Sequence, residues 1–475
     1  MPLIILRRGP NRGRGRGPLP IVSMRRSLEE SDQEERPQPV STSGSAPLPS
    51  SKLRWQLLLV LPVILALLAG LTAWRVLGDT PPQPPDQVRV SLSSDPRTGF
   101  AVTWHAATDH PGSVKILDDT GTRVYPGKPT DGQPIGSGVW READVTGLQP
   151  GTIYRYVVTS GDAETPQFQF RTEPLGPHAV RFDVFGDQGD CTHYAAACRV
   201  MDGIAADRPD FVLAAGDLTY ANDNGPDAWD LWGNDVMRRY GTWAPLMPTV
   251  GNHEYLHPDN LGNYKGRFAL PEERGESAPP GRKAGDYYSF NYGSVHVVAL
   301  PERYVNMKPN SEFRRWLVND LRAACRNPAI RWRIAFNHRP FYSTGRRHGS
   351  DWTYQNLVAP VLERYRVDLV FSGHEHTYER SLQLRDGKPV TRQLSSWRKG
   401  AGTAYIVTGG GGAPTYNDFG RRANWDAVRK TGHHHVRVDV DVDDTLRLMT
   451  ISDTDGQRPI DQVVIRGDGR TAACK

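Results

Sequence analysis

The sequence predicts an α+β protein in which a small β-sandwich precedes a larger domain of alternating strands and helices. Between residues 88 and 172, short segments alternate apolar and polar residues with turn residues between them, which is typical of an antiparallel sandwich. From residue 179, an apolar strand, a helical segment and a second strand follow in order, which indicates parallel pairing. A chain of 475 residues with 38% apolar residues excludes whole-chain disorder and fits two or three domains.

The segment before residue 55 carries the whole charge surplus of the chain. It is rich in Arg, Gly, Pro and Ser, and it holds ten Lys or Arg against five Asp or Glu. Because this composition cannot bury an apolar core, residues 1–54 are predicted to be a disordered basic tail. Residues 75–475 hold 48 basic and 48 acidic residues. A body without net charge argues against a nucleic-acid partner.

An uncharged apolar stretch lies between Arg54 and Arg75. As a helix it would be about 30 Å long, which is the thickness of the hydrocarbon core of a membrane. Trp55 and Trp74 stand at its ends, where interfacial aromatic residues belong. Because the basic residues precede it, residues 55–77 are predicted to be a transmembrane anchor with the tail in the cytoplasm and the body outside. A cleaved signal peptide is the alternative, and it would also export the body.

A proline-rich linker and a front domain are predicted to follow the anchor. Residues 78–87 contain four prolines and should form a stiff spacer. Residues 88–175 are predicted to be the sandwich, and the stretch 145–154 resembles a corner of a fibronectin type III domain, with Tyr154 as the tyrosine that ties it. No binding motif is found there, so a spacer or a lid over the next domain is the expected role. The segments that alternate best are 88–92, 100–104, 154–158 and 168–172.

Polar residues follow five apolar strands in the larger part of the chain. A single Asp after a strand is usually a turn residue, but the same placement in five loops indicates a shared site, since α/β proteins form sites beyond strand ends. Asp, Asn and His offer the oxygen and nitrogen ligands that divalent and trivalent metals take. Glycines beside them permit tight turns. The residues predicted to converge on a metal site are Asp187, Asp217, Tyr220, Asn252, His338, His374 and His376.

The order of these motifs resembles the purple acid phosphatases, a family of the calcineurin-like metallophosphatases. The five blocks of the family correspond here to Gly186-Asp187-Gln188-Gly189, Gly216-Asp217-Leu218-Thr219-Tyr220, Gly251-Asn252-His253-Glu254, His338 and Gly373-His374-Glu375-His376. The tyrosine of the second block separates the purple enzymes from the wider superfamily. The resemblance covers roughly residues 82–466. It implies a fibronectin type III-like front domain and, over residues 179–466, a metallophosphatase domain whose β-sandwich is flanked by helices in α/β/β/α layers.

The same resemblance divides the seven residues between two metal ions. The ligands of a ferric ion would be Asp187, Tyr220 and His376. The ligands of a divalent ion, Fe, Zn or Mn, would be Asn252, His338 and His374. Asp217 would bridge the two ions, because a carboxylate can hold metals about 3.5–4 Å apart. A phenol ligates as phenolate only to a strong Lewis acid, which favours Fe(III) on the tyrosine side.

The implied activity is hydrolysis of phosphomonoesters by attack of metal-bound hydroxide. His253 directly follows the ligand Asn252 and resembles the general acid or substrate clamp of the family. His348 falls where the family places a supporting pair of histidines, although the other position of that pair is Arg347 here. His253 and His348 are therefore the predicted catalytic residues. Two alternatives stay open: a phosphodiesterase with the same metals, and a surface binding protein with a vestigial site, which the seven intact ligands disfavour.

Three further features are predicted to be structural. Residues 409–412 are four glycines that should form a backbone turn near the site, since neither a lysine nor a helical pattern follows them. The histidines 433–435 are expected to be solvated at the start of a strand. The four cysteines of the chain allow three full pairings. If residues 191–198 were helical throughout, Cys191 and Cys198 would lie about 10.5 Å apart, too far for a disulfide.

The predicted anchor can be tested on cells that express the whole chain. Because basic residues precede the apolar stretch, protease added to intact cells, or to spheroplasts where there is an outer membrane, should release a fragment that contains the body. The measurement is an immunoblot with separate antibodies to the tail and the body. Full protection of the body until the cells are lysed would reverse the predicted orientation.

Overall fold

The computed structural model describes residues 81–118, 121–130, 136–255, 261–271 and 286–467. These residues belong to one compact unit, residues 77–475. The predicted tail and the predicted membrane anchor lie outside the described residues, so both stay predictions. Among the helices of the described ranges, none has the length and apolar character needed to cross a membrane.

The first nine strands form the front sandwich. One sheet has the order β1-β2-β6-β5, and the other has the order β4-β3-β7-β8 with β9 on the side of β7. Inward residues such as Val90, Val102, Ile116 and Val158 are fully buried between the two sheets, as expected for strands that alternate apolar and polar side chains. The strands are β1 (Asp86–Leu92), β2 (Phe100–Ala106), β3 (Gly112–Asp118), β4 (Gly121–Pro126), β5 (Lys128–Pro129), β6 (Val139–Val145), β7 (Ile153–Ser160), β8 (Ala163–Glu164) and β9 (Phe168–Arg171).

The hydroxyl of Tyr154 closes the corner that precedes β7. Its oxygen accepts a hydrogen bond of 2.8 Å from the backbone N–H of Gln149, and the side chain is buried. The prediction that Tyr154 ties this corner is therefore confirmed.

The larger domain contains sixteen strands and seven α-helices within the described residues. The strands are β10 (Val180–Phe185), β11 (Phe211–Ala214), β12 (Leu246–Pro248), β13 (Tyr288–Tyr292), β14 (Val295–Ala299), β15 (Trp332–Phe336), β16 (Leu369–Ser372), β17 (Tyr378–Ser381), β18 (Leu384–Arg385), β19 (Lys388–Pro389), β20 (Ser396–Arg398), β21 (Ala404–Thr408), β22 (Asp426–Lys430), β23 (His434–Val440), β24 (Thr445–Ser452) and β25 (Arg458–Arg466). The helices are α1 (Ala195–Asp207), α2 (Ala221–Asn224), α3 (Ala228–Val236), α4 (Asn252–Tyr255), α5 (Gly262–Arg267), α6 (Glu312–Arg326) and α7 (Ala359–Arg364), with π-turns at Met237–Gly241 and Tyr354–Val358.

Two mixed seven-stranded sheets stack face to face at the centre of this domain. Their orders are β12-β11-β10-β23-β24-β25-β20 and β13-β14-β15-β16-β21-β17-β22. As predicted, β10 pairs in parallel with β11, while β23 runs antiparallel on its other side. Side chains from both sheets, such as Phe182, Val184, Val297 and Ile334, form one buried core between them.

Helices cover the outer face of each sheet. Val298 and Val370 point away from the central core and pack with Phe313 and Leu317 of α6. On the other sheet, side chains of α1 and α3 pack against β11. The helix α6 begins at its N-cap Ser311, whose hydroxyl accepts the N–H of Arg314 at 3.1 Å. The order of layers is therefore α/β/β/α, as the resemblance implied.

The front sandwich packs directly on the larger domain. The hydroxyl of Tyr156 donates to the carbonyl of Thr242 at 2.6 Å. The buried guanidinium of Arg89 donates to the carbonyl of Arg267 at 2.8 Å. Because these bonds are buried, they fix the front sandwich against the larger domain.

Cys191 and Cys198 form a disulfide, with their Cα atoms 5.2 Å apart. The sequence excluded this bond only for the case in which residues 191–198 are all helical. In the structure α1 begins at Ala195, and residues 191–194 are not helical. The non-helical turn brings the two Cα atoms within the range that a disulfide spans.

The expectation that the histidines 433–435 are solvated was wrong. His434 and His435 are fully buried. Gly410 and Gly203 lie against the two rings: a Cβ atom at Gly410 would lie 2.2 Å from His434 Nδ1, and one at Gly203 would lie 2.8 Å from His435 Cε1. The glycine loop and the helix α1 therefore cover this end of β23, which the local sequence does not indicate.

We expect Tyr154→Phe to lower the free energy of unfolding by about 1–2 kcal/mol, because it leaves the N–H of Gln149 without its acceptor. Chemical denaturation of the purified protein measures the change. The matched control is Tyr125→Phe, since the hydroxyl of Tyr125 donates to Thr146 at an exposed position where water can replace it. Equal losses for the two variants would contradict a special role for the corner.

Candidate metal centre

The strands of the two sheets deliver all seven predicted ligands to one edge of the domain. Asp187 follows β10, Asp217 and Tyr220 follow β11, and Asn252 follows β12. In the second sheet, His338 follows β15, and His374 and His376 follow β16. Neighbouring strands within each of these two sets are parallel, so their carboxyl ends lie at the same edge.

Four of these residues have a left-handed backbone, which is unusual for residues other than glycine. Their φ angles are 61° for Asp187, 52° for Asp217, 55° for Tyr220 and 69° for His374. Backbone strain of this kind concentrates at functional sites, where the surrounding structure holds it in place.

The glycines of the motifs are needed for close approach as well as for tight turns. A Cβ atom at Gly251 would lie 2.1 Å from Asp217 Oδ1, and one at Gly373 would lie 2.3 Å from Asp187 Oδ2. Any side chain at these two positions would displace a carboxylate. A side chain in the turn of four glycines at residues 409–412 would also displace a carboxylate, because a Cβ atom at Gly409 would lie 2.8 Å from Asp187 Oδ2.

Asp187, Tyr220 and His376 form a triangle of donor atoms. The Tyr220 hydroxyl lies 3.3 Å from Asp187 Oδ1 and 3.0 Å from His376 Nε2. The third side, from His376 Nε2 to Asp187 Oδ1, is 3.3 Å. Sides of about 3 Å are expected for neighbouring ligands of a metal that lies about 2.0–2.2 Å from each.

A second group of donor atoms surrounds His338 Nε2. This nitrogen lies 3.1 Å from Asp217 Oδ2, 3.0 Å from Asn252 Oδ1 and 3.1 Å from His374 Nδ1. Asp217, His338 and His374 are buried and their donor atoms can share one ion. The seven residues thus lie in two groups of donor atoms, and Asp217 lies in the second.

The ring orientations of His338 and His376 fit metal binding. His338 Nδ1 lies 2.9 Å from the carbonyl of Ala215, and His376 Nδ1 lies 2.8 Å from the carbonyl of Pro414. A carbonyl can only accept, so Nδ1 carries the proton, and in the neutral ring Nε2 is left with a lone pair directed at the site. This is the arrangement of histidines that ligate metals.

The buried carboxylates of the site are stable only with positive charge beside them. Burial lowers the pKa of His338, but the carboxylate of Asp217 raises it more, to about 10. In the absence of metal, a proton on His338 therefore balances Asp217. Burial and the nearby carboxylates raise the pKa of Tyr220 well above its usual value, so only a strong Lewis acid would ionise its phenol.

Glu254 organises the loop that carries Asp217, a role that the sequence did not reveal. Its buried carboxylate accepts the backbone N–H groups of Asp217, Leu218 and Gly251, each at 2.8 Å. Burial and the charge of Asp217 raise the pKa of Glu254, while the N–H donors stabilise its charged form. Glu254 is the last residue of the Gly251–Glu254 block. Its place in that motif was the only feature of the sequence that could have indicated its role.

Arg339 is a second residue that the sequence did not single out. Its guanidinium pairs with the buried carboxylate of Glu302 and lies 2.8 Å from His374 Nε2. Burial and the positive charges of His338 and Arg339 lower the pKa of His374, so this ring stays neutral. Arg339 directly follows His338, but nothing local indicates its contact with His374.

His253 stands beside both donor groups. Its Nδ1 lies 2.7 Å from Asn222 Oδ1 and 3.3 Å from Asp223 Oδ2, which orients the ring. Its Nε2 lies 3.8 Å from Asp217 Oδ2, and the ring centre lies 4.4 Å from that of Tyr220.

His348 and Tyr416, a tyrosine from the loop after β21, line the site beside His374 and His376. The ring of His348 lies against that of His374, with their centres 3.9 Å apart. Tyr416 stacks on His376 at 4.3 Å, and the guanidinium of Arg347 lies over the ring of Tyr416 at 4.8 Å. Tyr416 was not predicted, since it lies outside the five motif blocks.

The fold and this donor set define a metallophosphatase. Residues 180–378 match the calcineurin-like phosphoesterase family, and residues 85–172 match the N-terminal domain of purple acid phosphatases. The chain belongs to the purple acid phosphatase family, and it is a hydrolase of the acid phosphatase type. Members of this family use a binuclear metal centre and act on small phosphoesters. The resemblance seen in the sequence is thereby confirmed.

Relatives from plants and animals cover most of the chain. Probable purple acid phosphatase 20 of Arabidopsis thaliana is 30% identical over 320 residues, which cover 64% of this chain and 70% of the relative. Acid phosphatase type 7 of Mus musculus is 27% identical over 411 residues, which cover 80% of this chain and 90% of the relative. The structure of a purple acid phosphatase from yellow lupin (Lupinus luteus) seeds is similar with a TM-score of 0.72 and 19% identity, over 82% of this chain and 75% of that chain. That last likeness shows the shared fold.

We expect Glu254→Gln to weaken metal binding about 10- to 100-fold, because the glutamine amide would place an N–H₂ group against backbone N–H donors and shift Asp217. Metal content after dialysis against graded chelator concentrations is the measurement. Glu363→Gln is the control, since Glu363 also accepts a backbone N–H but lies on the outer helix α7. Identical metal retention in the two variants would disprove this role of Glu254.

Proposed function

We propose that this chain is an extracytoplasmic binuclear-metal phosphatase that hydrolyses phosphomonoesters. The observation that carries the proposal is the pair of donor groups at one edge of the sheets, each with spacings of about 3 Å. With Asp217 as a bridge between them, two such groups would hold two ions close enough to act on one phosphoryl group. The extracytoplasmic location rests on the apolar stretch at residues 55–74 and its basic flank.

The proposed ferric site consists of Asp187, Tyr220 and His376. The proposed divalent site, for Fe, Zn or Mn, consists of Asn252, His338 and His374. Asp217 is the proposed bridge. The tyrosine supports iron on its own side, since a phenol that is buried among carboxylates ionises only for a strongly Lewis-acidic ion.

The residues around the centre would divide the work of the reaction. When bound, the ions would supply Lewis-acid chemistry to polarise the phosphoryl group and activate water. The chain supplies a fixed geometry for them, because Glu254 holds the loop of Asp217 in place. His253 would protonate the departing alcohol, since Asn222 orients its ring and its Nε2 faces the centre.

A phosphomonoester fits the charge of the walls better than a diester. Arg347 brings a permanent positive charge to the side of the site that His348 and His374 form, whereas the charge of Arg339 is balanced by Glu302. A monoester dianion carries one negative charge more than a diester, so this side favours it. His348 would assist by contact with the substrate, because its exposed ring lies against the ligand His374.

The direct test compares hydrolysis of p-nitrophenyl phosphate with hydrolysis of its bis-ester. The monoester should have the higher kcat/KM, and activity should require metal. A higher value for the bis-ester would establish the phosphodiesterase alternative. No turnover of either compound by protein with a full metal complement would establish the non-catalytic alternative.

The likeness of the front sandwich to fibronectin type III domains is also kept as a proposal. It is supported by the two antiparallel sheets and by the corner that Tyr154 closes. Its buried contacts with the larger domain, through Tyr156 and Arg89, favour a supporting role.

We expect His253→Ala to retain its metals and to lose about 10²–10⁴ in rate, as for a positioned acid. The loss should shrink for dinitrophenyl phosphate, whose leaving group needs no proton. Steady-state kinetics on a series of aryl phosphates gives the result. His178→Ala is the control, because His178 precedes β10 and so lies at the opposite end of the strand from the ligands. An equal loss for all leaving groups would indicate substrate binding instead.

Tyr220 makes the colour of the protein a test of the ferric site. A phenolate on Fe(III) absorbs visible light, because the electron-rich ring donates charge to the metal. The oxidised, iron-loaded protein should be purple to pink, and Tyr220→Phe should bleach it. Absorbance and iron content are measured on the same sample.

Tyr416→Phe is the matched control, since its hydroxyl lies 3.5 Å from His376 Nε2 but belongs to neither donor group. This variant should keep the colour. A colourless wild-type protein with a full ferric complement would refute the tyrosine ligand. A colourless active protein with only Zn or Mn would refute iron but leave the phosphatase proposal standing.

A further inference from the structure

A second polar cluster is buried behind the candidate metal centre, between the first sheet and the helix α1. Asp183 lies on β10 opposite Arg437 of β23, and His435 is two residues earlier on β23, so these three side chains share a face of the sheet. The neighbours of Asp183, Phe182 and Val184, point into the central core instead. That face is the one that α1, which ends at Asp207, covers.

Asp183 is the anomaly in this cluster. Its side chain is fully buried, and neither carboxylate oxygen has a hydrogen-bond partner among the described residues. A buried carboxylate without a partner is strongly unfavourable unless it is neutralised. Burial accordingly raises the pKa of Asp183 well above its usual range.

The neighbours of Asp183 have the geometry of a metal site. Donor atoms of Asp183, Asp207 and His435 all lie within 4.8 Å of one another. His435 Nε2 lies 3.0 Å from Asp207 Oδ2, and its Nδ1 lies 2.8 Å from Asp453 Oδ2. A histidine that gives one nitrogen to a carboxylate and turns the other to further oxygen donors is oriented as a metal ligand.

The surrounding side chains fix this arrangement. Asp453 Oδ1 accepts the amide of Gln457 at 2.6 Å, which positions the carboxylate behind His435. Arg437 donates to Asp207 Oδ1 at 3.0 Å, so the other oxygen of Asp207 stays turned toward His435. Burial lowers the pKa of His435, but the carboxylates of Asp207 and Asp453 raise it more, to about 10. A divalent ion would replace this proton, and together with Arg437 it would neutralise the three carboxylates around the ring.

We propose that Asp183, Asp207 and His435 bind a third metal ion, a borderline divalent ion such as Zn(II). Two carboxylates and an imidazole are ligands that suit such an ion. The site is distinct from the candidate centre, because it shares none of the seven residues of that centre and Asp183 lies within β10, before the strand end that Asp187 follows. The ion would connect α1 with β23 and with β10, and β10 is the strand that leads to Asp187. It would therefore stabilise the scaffold rather than contact the substrate.

The test is the number of metal ions per chain, measured by mass spectrometry on the purified full chain after loading with Zn(II) and gel filtration. Asp183→Asn, which keeps the shape of the side chain, should contain one ion fewer than the wild type and should melt at a lower temperature in Zn(II). Asp320→Asn is the matched control, because Asp320 also pairs with a histidine, His296, but lies on the outer helix α6. It should match the wild type in metal content.

Equal metal content in Asp183→Asn and the wild type would overturn the proposal and would mean that Asp183 is neutralised by a proton. If Asp183→Asn does not fold, Asp207→Asn takes its place. The variant Asp217→Ala keeps this result separate from the proposed function, since it should lose the ions of the candidate centre and retain the third.

Discussion

The buried carboxylate of Asp217 is the constraint on which the site depends. Its side chain is 2% exposed, and its Oδ2 lies 3.1 Å from His338 Nε2. A buried anion is stable only when positive charge and hydrogen bonds compensate for its lost hydration. Here the backbone N–H of His253 binds its Oδ1 at 2.8 Å, and either a proton on His338 or bound metal supplies the charge. The histidines, the loops and the glycines of the site all serve to place this charge and these hydrogen bonds around Asp217.

The same requirement accounts for the strained loops. Left-handed residues cost about 1–3 kcal/mol each, and contacts between the loops after β10 and β11 offset that cost. The N–H of Asp187 donates to the carbonyl of Gly216 at 3.1 Å, and that of Gln188 donates to Asp217 at 3.0 Å. These bonds continue the pairing of the strands beyond the sheet edge, so the carboxylates are held by the scaffold before any ligand binds.

Much of the site could be predicted because its signals are local. Asp187, Asp217 and His338 each follow an apolar strand, and glycines flank the two aspartates; the chemistry of each block is contained in a few consecutive residues. The continuous apolar run of β11 likewise predicts a strand with two buried faces. Glu254 and Arg339 lie within or beside the same blocks, but their partners come from other loops, so their roles were not visible.

The sequence by itself determined the two domains, the strand ends that carry the predicted ligands, and the family to which the chain belongs. Only the tertiary structure decided which distant segments cover one another. His435 is buried because α1 and Asp453 enclose it, and Cys191 reaches Cys198 because α1 starts at Ala195. The charged neighbours of Asp183 also come from other parts of the chain. Periodicity reports the environment along one element, whereas burial and pairing depend on contacts between elements that the sequence pattern does not encode.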